Sequence, residues 1–346
     1  MSDGAVIVGS GPAGLSAALF LSANGMDVTV IDRLSEKGFS RYHSVCGAGI
    51  SAKAFGELDL IDPDCVRNRI RYTELVFPGD HKVRVRVRGY VLDRVGFLKN
   101  LKERCESQGC TFVNAEVTSV ERGGDGFVTH TRSGDHSSKY IIGCDGAHSV
   151  VRRDLFGSRP RMMPVEEFVV EGEPDNVFRI FLAERYRGLY EWSFPCGENK
   201  NVGSGCGMIH PENVLSKGAR HIPFGGVPKI SEGNAYICGD AAGMANPVSG
   251  GGLRAAMVSG QNAAKEILGG RKGIYQRWWD RSLLSSPRFM GLREKLNGWT
   301  DEDFISASKL YHENWNPYLC GAIAGILHPK YIPFYIGGLK TFKETW

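Results

Sequence analysis

The first 33 residues contain the feature that most restricts how this chain can fold. An apolar run ends in the glycine stretch GSGPAG at residues 9–14, and a second apolar run ends in Asp32. The spacing predicts a strand at residues 5–9, a helix at 12–24 and a strand at 27–32, which together form a βαβ unit. No side chain in the glycine stretch can do chemistry, so whatever binds there is bound by the backbone.

This arrangement is a dinucleotide-binding fingerprint. Gly9 allows the tight turn, Gly11 lets a pyrophosphate approach the backbone, and Gly14 allows the helix to pack closely on the strand. The N-terminus of the helix offers free N–H groups and a partial positive charge to the anion. A glycine-rich structural turn is the alternative. The residues expected to bind the dinucleotide are Gly9, Gly11, Pro12, Ala13, Gly14, Asp32 and Arg33.

A second glycine-rich segment lies far along the chain. Apolar residues 235–238 predict a short strand, and residues 253–268 predict a helix. Three consecutive glycines between them let the backbone come close to a flat ring. Two separate backbone cradles suit a long cofactor that carries a ribityl chain and a flavin. The residues predicted to bind it here are Gly239, Asp240, Pro247, Gly250, Gly251 and Gly252, and another strand end contributes Asp145 and Gly146.

Composition argues against several classes of protein. The 346 residues carry a net charge of +4 without long basic blocks, so nucleic-acid binding is not expected. The nine cysteines are odd in number and include no CxxC pair, so neither a metal site nor a disulfide framework is predicted. The N-terminus has no basic segment and no cleavage site, which favours a cytoplasmic protein without a signal peptide.

The three motifs, in this order, resemble the flavoprotein family that includes para-hydroxybenzoate hydroxylase and the geranylgeranyl reductases. The resemblance implies FAD as the cofactor. It implies that the ADP half is bound by Gly9, Gly11, Gly14 and Asp32, the middle by Asp145 and the ribityl chain by Asp240. It also implies that Arg94, in a helix predicted at residues 91–109, lies near the FAD. A solvated surface arginine is the alternative for Arg94.

The same resemblance implies an α/β fold with a Rossmann-type FAD-binding domain, an inserted antiparallel β-sheet substrate domain and a helical C-terminal region. The expected boundaries are residues 1–158 and 231–270 for the discontinuous FAD-binding domain, 159–230 for the substrate domain and 271–346 for the helical region. Further strands are predicted at residues 111–120, 126–132 and 139–143.

The stretch YEWSFPCGENKNVGSG resembles the geranylgeranyl reductase signature Tyr-x-Trp-x-Phe-Pro, six residues, Val-Gly. Alternation along a strand places Tyr190, Trp192 and Phe194 on one face. With Pro195 they are the predicted substrate-binding residues, because burial of an isoprenoid chain is favoured by about 0.8 kcal/mol per methylene. Ordinary core aromatics are the alternative. Arg187 stands where the signature has proline, which puts the shape of this loop in question.

Cys46 and Gly47 match a Cys-Gly pair of archaeal and plant members of that reductase group, in which the cysteine lies near the flavin. The match implies that both residues contact the cofactor and that Cys46, or a water ordered beside it, is the catalytic acid. His43, three residues before Cys46, is interpreted as an exposed loop residue, and a position near the flavin is the alternative. The glycines at 250–252 also agree with the reductases, since many hydroxylases have Gly-Gln-Gly there.

The implied function is FAD-dependent hydrogenation of C=C bonds in a polyprenyl chain of the geranylgeranyl type, carried by a lipid, a diphosphate or a quinone. Since one dinucleotide fingerprint is present, the expected electron donor is transiently docking NAD(P)H, ferredoxin or another reduced carrier. An FAD-dependent aromatic-ring monooxygenase and a non-catalytic FAD-binding protein are the alternatives. The apolar residues 316–342 are interrupted by prolines, and they predict a packed helical cap or peripheral contact with a membrane surface.

Overall fold

The computed structural model describes residues 3–44, 46–309 and 317–340. The centre of its first part is a mainly parallel sheet of six strands. Its strands are short apolar segments of the sequence, because both faces of the sheet are covered by other layers. The β16–β17 pair is antiparallel and the other pairs are parallel. In spatial order the strands are β16 (Ser231–Glu232), β17 (Ala235–Ile237), β10 (Tyr140–Gly143), β1 (Ala5–Val8), β2 (Val28–Asp32) and β6 (Thr111–Asn114).

The helices of this part bring distant segments of the chain together. A Cβ at Gly260 would lie 2.2 Å from the carbonyl oxygen of Ala13, so the first and sixth helices pack backbone to backbone. The Ser16 hydroxyl also donates to the carbonyl oxygen of Met257 over 2.9 Å. The first six helices are α1 (Pro12–Ser22), α2 (Glu36–Ser44), α3 (Ala52–Leu58), α4 (Arg94–Ser107), α5 (Val150–Phe156) and α6 (Leu253–Gly269).

A second sheet has eight strands, and its neighbours are antiparallel apart from the parallel pair β4–β12. The sequence assigns this sheet to residues 159–230 alone, whereas strand pairing adds three strands from residues 49–92. The division of the chain into domains stays a prediction. In spatial order the strands are β15 (Val214–Phe224), β11 (Arg161–Val170), β14 (Asn199–Gly205), β13 (Glu191–Cys196), β12 (Val177–Phe181), β4 (Val66–Val76), β5 (Lys82–Leu92) and β3 (Gly49–Ser51).

A third, antiparallel sheet of three strands accounts for the remaining β structure: β7 (Val117–Gly123), β8 (Gly126–Thr131) and β9 (Gly134–Ser138). The prediction of one strand over residues 111–120 is therefore wrong. The Asn114 side chain donates to the carbonyl oxygens of Asp32 and Leu34, both over 2.9 Å. These bonds fix the end of β6, and the chain then enters a different sheet at β7.

The C-terminal region is helical, as the sequence predicts for residues 271–346. In the described part of the chain, no helix combines the length and the apolarity needed to cross a bilayer. Residues 310–316 and 341–346 of this predicted region lie outside the described residues. The helices are α7 (Ile274–Asp280), α8 (Pro287–Asn297), α9 (Asp301–Ser308), α10 (Pro317–Leu327) and α11 (Ile332–Lys340).

Candidate active site

The first glycine segment connects β1 to α1, and each of its glycines has a different surrounding. Gly9 has a φ of +100°, and a Cβ there would lie 2.4 Å from the carbonyl oxygen of Cys144. A Cβ at Gly14 would lie 1.9 Å from the carbonyl oxygen of Gly9. At Gly11, by contrast, no atom lies within 4 Å of the position of a Cβ. The segment is therefore tightly packed at both ends and open in the middle, where a pyrophosphate needs to approach.

The Asp32 carboxylate, at the end of β2, organises this open segment. It accepts hydrogen bonds from the backbone N–H and the hydroxyl of Ser10, both over 2.7 Å, and from the Leu34 N–H over 2.8 Å. Since a carboxylate has about four acceptor positions, one remains for a ribose hydroxyl. Arg33 beside it is exposed. No side chain caps α1, which begins at Pro12, so its free N–H groups remain for an anion.

The second glycine segment lies directly against the first. A Cβ at Gly239 would lie 3.3 Å from the Cβ of Ala13. Gly252 precedes α6 without a side-chain cap, and a Cβ there would lie 3.8 Å from Asp240 Oδ1. Asp240 is accessible to solvent although protein surrounds it, as expected at the floor of a cleft. Burial raises the pKa of Asp240, and the charges of Arg94 and Arg220 oppose that effect.

Asp145 has a structural role in addition to the predicted one. Its Oδ2 accepts hydrogen bonds from the backbone N–H groups of Val150 over 2.6 Å and Val151 over 3.3 Å, at the start of α5. Its Oδ1 is buried and, within the described residues, has no hydrogen-bond partner. Burial raises the pKa of Asp145. The Asp145 Cα lies 3.1 Å from the position of a Cβ at Gly9, so this carboxyl borders the first glycine segment.

Cys46 and Gly47 lie between the cofactor segments and the eight-stranded sheet. Arg94, at the start of α4, donates from Nη1 to the Cys46 Sγ over 2.8 Å. Burial lowers the pKa of Arg94, but Cys46 and Asp240 raise it by more, so the net shift is upward. A Cβ at Gly47 would lie 3.0 Å from the Phe194 ring. The structure thus brings together Cys46, Arg94 and the aromatic strand, which are far apart in the sequence.

The aromatic side chains share one face, as the alternation predicts. The ring centroids of Tyr190 and Trp192 are 6.0 Å apart, and those of Trp192 and Phe194 are 6.5 Å apart. The Tyr190 hydroxyl donates to the carbonyl oxygen of Ser249, next to the second glycine segment. This face therefore lies beside the second glycine segment at Tyr190 and beside Gly47 at Phe194. Pro195 alternates to the opposite face of β13 and is buried, so its assignment to the substrate stays a prediction.

Arg187 explains the departure from the family signature. Its φ is +49°, in the left-handed region, and its side chain is exposed. Proline is confined to a φ near about −65° and cannot adopt this conformation. The turn that leads into the aromatic strand therefore has a different backbone from the one that the signature's proline would impose.

A cluster of charged and polar residues beside Cys46 was missed by the sequence analysis. Glu167 on β11 is buried and lies 3.2 Å from the Arg220 Nε of β15. His43, interpreted as an exposed loop residue, is instead buried in the last turn of α2, where it packs against Phe39 and Tyr42. Burial, and then Arg94 and Arg220, lowers the pKa of His43 to about 2. The alternation of Met163, Val165 and Glu167 was a signal that Glu167 faces inward.

These surroundings fit FAD. The open backbone at Gly11, the uncapped starts of α1 and α6, the unpartnered Asp145 Oδ1 and the accessible Asp240 belong to segments that contact one another. Anionic groups are favoured at helix N-termini, and hydroxyl groups are favoured beside carboxylates.

Comparison with known proteins agrees with this geometry. Residues 4–43 and 88–175 match the family model described as the FAD binding domain. Digeranylgeranylglycerophospholipid reductase 1 of Methanopyrus kandleri is 30% identical over 304 residues, which cover 75% of this chain and 79% of that protein.

Two solved structures have the same fold over nearly their whole length. A geranylgeranyl bacteriochlorophyll reductase-like protein of Thermoplasma acidophilum has a TM-score of 0.78 at 19% identity, and the match covers 98% of both chains. A p-nitrophenol 4-monooxygenase of Pseudomonas putida has a TM-score of 0.66 at 15% identity, and the match covers 99% of this chain and 98% of that one. The predicted fold class and the predicted FAD cofactor are confirmed. The chain is an FAD-dependent oxidoreductase and belongs to the geranylgeranyl reductase family.

Proposed function

We propose that this oxidoreductase hydrogenates C=C bonds in the geranylgeranyl-type chains of a glycerophospholipid. The observation that carries the proposal is the aromatic face of β13, which meets Gly47 at Phe194 and the second glycine segment at Tyr190. A relative named for digeranylgeranylglycerophospholipid supports the choice of a phospholipid over a free diphosphate or a quinone.

Different residues of the chain bind different parts of the cofactor and of the substrate. The first glycine segment and Asp32 hold the ADP half of FAD, and Asp240 with the glycines at 250–252 holds the ribityl and flavin end. When bound and reduced, FAD supplies the hydride that one carbon of the double bond needs. Tyr190, Trp192 and Phe194 bind the polyprenyl chain and thereby orient the double bond. They also exclude water, which would otherwise compete by adding to the double bond.

Cys46 delivers the proton to the other alkene carbon in this proposal. The S–H bond breaks as a C–H bond forms, and the electron pair stays on sulfur. Arg94 donates to that sulfur over 2.8 Å and stabilises the thiolate that remains. The thiolate then takes up a proton from solvent and the thiol is restored. General acid catalysis of this kind contributes about 10²–10⁴-fold to a rate.

The test is anaerobic incubation of the holoprotein with a geranylgeranyl-chain glycerophospholipid and dithionite. Mass spectrometry should show a gain of two hydrogens for each reduced double bond. Cys46→Ala should lower the rate about 100-fold or more. Cys206→Ala, which alters an exposed thiol in a turn, should leave it unchanged. Unchanged lipid mass with the wild type would refute the proposal, and full activity of Cys46→Ala would remove Cys46 from the proton step.

Aerobic arms of the same assay address the alternatives and the donor. The aromatic-ring monooxygenase predicts oxygen consumption coupled to NADPH oxidation with a phenolic substrate, and the non-catalytic alternative predicts no turnover at all. We propose NAD(P)H or a reduced carrier protein as the physiological donor. Replacing dithionite with NADPH, and then with reduced ferredoxin, tests which of the two supports lipid reduction.

We also propose that the α10–α11 pair rests on a membrane surface. Its exposed apolar side chains include Ile326, which is 80% exposed, and Leu327 and Ile336. The aromatic contact between Phe77 and Phe334, at 6.5 Å, places the end of β4 beside α11.

The neighbouring strand β5 begins beside this surface with a positive charge. Lys82, its first residue, is exposed and is opposite Val76 at the end of β4. Exposed apolar side chains beside basic ones favour binding to an anionic bilayer. Sedimentation with phosphatidylglycerol vesicles should be lost in the double variant Ile326→Ser/Leu327→Ser. It should be kept in Leu215→Ser, which alters an exposed leucine on β15. Equal binding of both variants would contradict this surface.

A further inference from the structure

Glu167 lies on the inner face of the eight-stranded sheet, in one row with the aromatic strand. It is opposite Gly203 of β14, which is itself opposite Trp192 of β13. The Trp192 indole covers Gly203, where a Cβ would lie 2.0 Å from the ring. Glu167 therefore borders the same region as the predicted substrate face, although its side chain is only 4% exposed.

The contacts of Glu167 reach the segment before Cys46. Glu167 pairs with Arg220, which donates from Nη2 to the carbonyl oxygen of Tyr42 over 3.2 Å. The Arg220 guanidinium also lies over the Tyr42 ring, 5.2 Å from its centroid. Tyr42 is in α2, four residues before Cys46 in the sequence.

The charges around this pair come from several elements. Burial raises the pKa of Glu167, against the opposing effects of Arg220, Arg94, Asn201 and the Gly47 backbone. A buried ion pair adds little stability compared with apolar side chains of the same size. A contribution to stability therefore does not explain why a carboxylate and a guanidinium are buried here.

We propose that Glu167 and Arg220 are positioning residues that hold the Cys46 thiol against Arg94 and the aromatic face. Arg220 holds the chain before Cys46 through Tyr42, and Glu167 holds the Arg220 guanidinium in place. The inference rests on the proposed role of Cys46 in proton delivery. It names the two residues that fix where that proton is delivered.

Amide hydrogen exchange of the holoprotein tests the contact directly, without turnover. In Glu167→Ala the Arg220 guanidinium loses its carboxylate partner, so exchange in the peptide that contains Tyr42 and Cys46 should become about tenfold faster or more. Glu167→Gln keeps an acceptor oxygen of the same reach and should restore protection. Glu166→Ala is the matched control, because Glu166 faces the opposite side of β11 and accepts from the Gly207 N–H over 2.6 Å.

Kinetics then test the positioning. Glu167→Ala should lower kcat for the lipid about 10–100-fold, since small displacements of a reacting group have effects of this size. KM and FAD affinity should change less than about twofold, because the aromatic face and the glycine segments are untouched. Glu167→Gln should recover most of the rate, and Arg220→Gln should lower kcat in the same way as Glu167→Ala.

Unchanged exchange in the peptide that contains Tyr42 and Cys46 in Glu167→Ala would overturn the inference, and so would a loss that appears in KM or FAD affinity alone. Failure of the proposed function has a different signature. In that case the wild type does not reduce the lipid, while the exchange difference between Glu167→Ala and Glu166→Ala persists.

Discussion

Two alanine substitutions within the first glycine segment should have opposite consequences. Gly11→Ala should leave the apoprotein folded and weaken FAD binding, whereas Gly14→Ala should destabilise the fold itself. The motif is the same and the positions are three residues apart. The difference comes from what surrounds each glycine.

The cost at Gly14 follows from its contact with the preceding turn. An added Cβ would lie 1.9 Å from the carbonyl oxygen of Gly9, far inside the 3.4 Å at which ordinary contact begins. The obstacle is backbone, so α1 must move away from β1. Overpacking of this kind costs about 1–3 kcal/mol or more. The higher helix propensity of alanine returns at most about 1 kcal/mol. A net loss of about 1–2 kcal/mol in the free energy of unfolding is expected.

At Gly11 the backbone already suits alanine, with a φ of −75°. No atom lies within 4 Å of the new Cβ, so the free energy of unfolding of the apoprotein should change by less than about 0.5 kcal/mol. The methyl group does, however, occupy the space through which the pyrophosphate approaches the backbone. A loss of about 1.4–2.8 kcal/mol in binding corresponds to a Kd for FAD that is about 10–100-fold higher.

Urea unfolding of the two apoproteins and quenching of flavin fluorescence on titration measure the two quantities separately. The Asp32 contacts with Ser10 serve as an internal check, because Ser10→Ala should have a milder effect than either glycine variant. If Gly11→Ala binds FAD as tightly as the wild type, the open middle of the segment is not where the cofactor approaches. If Gly14→Ala unfolds like the wild type, the packing argument fails.

Three further outcomes follow from the cleft. Because the pKa of His43 is lowered to about 2 from about 6.5 in the unfolded chain, the unfolded state binds more protons below pH 6.5. The contribution of His43 to the unfolding free energy of the apoprotein should therefore fall by about 2 kcal/mol between pH 6.5 and pH 5, measured in urea titrations as the difference from His43→Leu. His43→Leu should remove most of that slope, and an unchanged slope would contradict the assignment. Gly203→Ala places a Cβ 2.0 Å from the Trp192 ring and should lower lipid turnover about tenfold with FAD affinity unchanged, so a loss of FAD affinity would contradict it. Arg94→Met removes the donor 2.8 Å from the Cys46 Sγ and should slow iodoacetamide labelling of Cys46 in the apoprotein about tenfold at neutral pH, with Arg94→Lys intermediate. Equal labelling rates in all three proteins would show that this contact does not activate the thiol.

The backbone parts of the site could be predicted because their requirements are local. A left-handed φ at Gly9 and a close approach at Gly14 restrict the residue type directly, and the adjacent strand and helix give the context. The aromatic face could be predicted equally well, since alternation along one strand determines which side chains lie on the same side.

The charged cluster beside Cys46 could not be found in the same way. The alternation along β11 indicates that Glu167 faces inward, but the residues that it meets there depend on how β11 pairs with β14 and β15, which are remote in sequence. His43 is buried by elements that are remote in the sequence, which a local pattern cannot identify.

The second sheet was underestimated for a related reason. In β5, arginine alternates with valine over residues 83–88, and four of its eleven positions are charged. Period-two alternation identifies such a strand more reliably than apolar content does. The strands from residues 49–92 were therefore recognisable in principle, although their partner β12 lies about a hundred residues away.

The backbone contact between Ala13 and Gly260 has a consequence for how the protein matures. The two halves of the FAD cradle are translated nearly 250 residues apart, and neither has its packing partner until α6 has been made. A nascent chain released before that point would carry the nucleotide motif without the surface that supports it. FAD capture is therefore a late event, and yellow colour during production of the protein would report completion of the fold as well as occupancy.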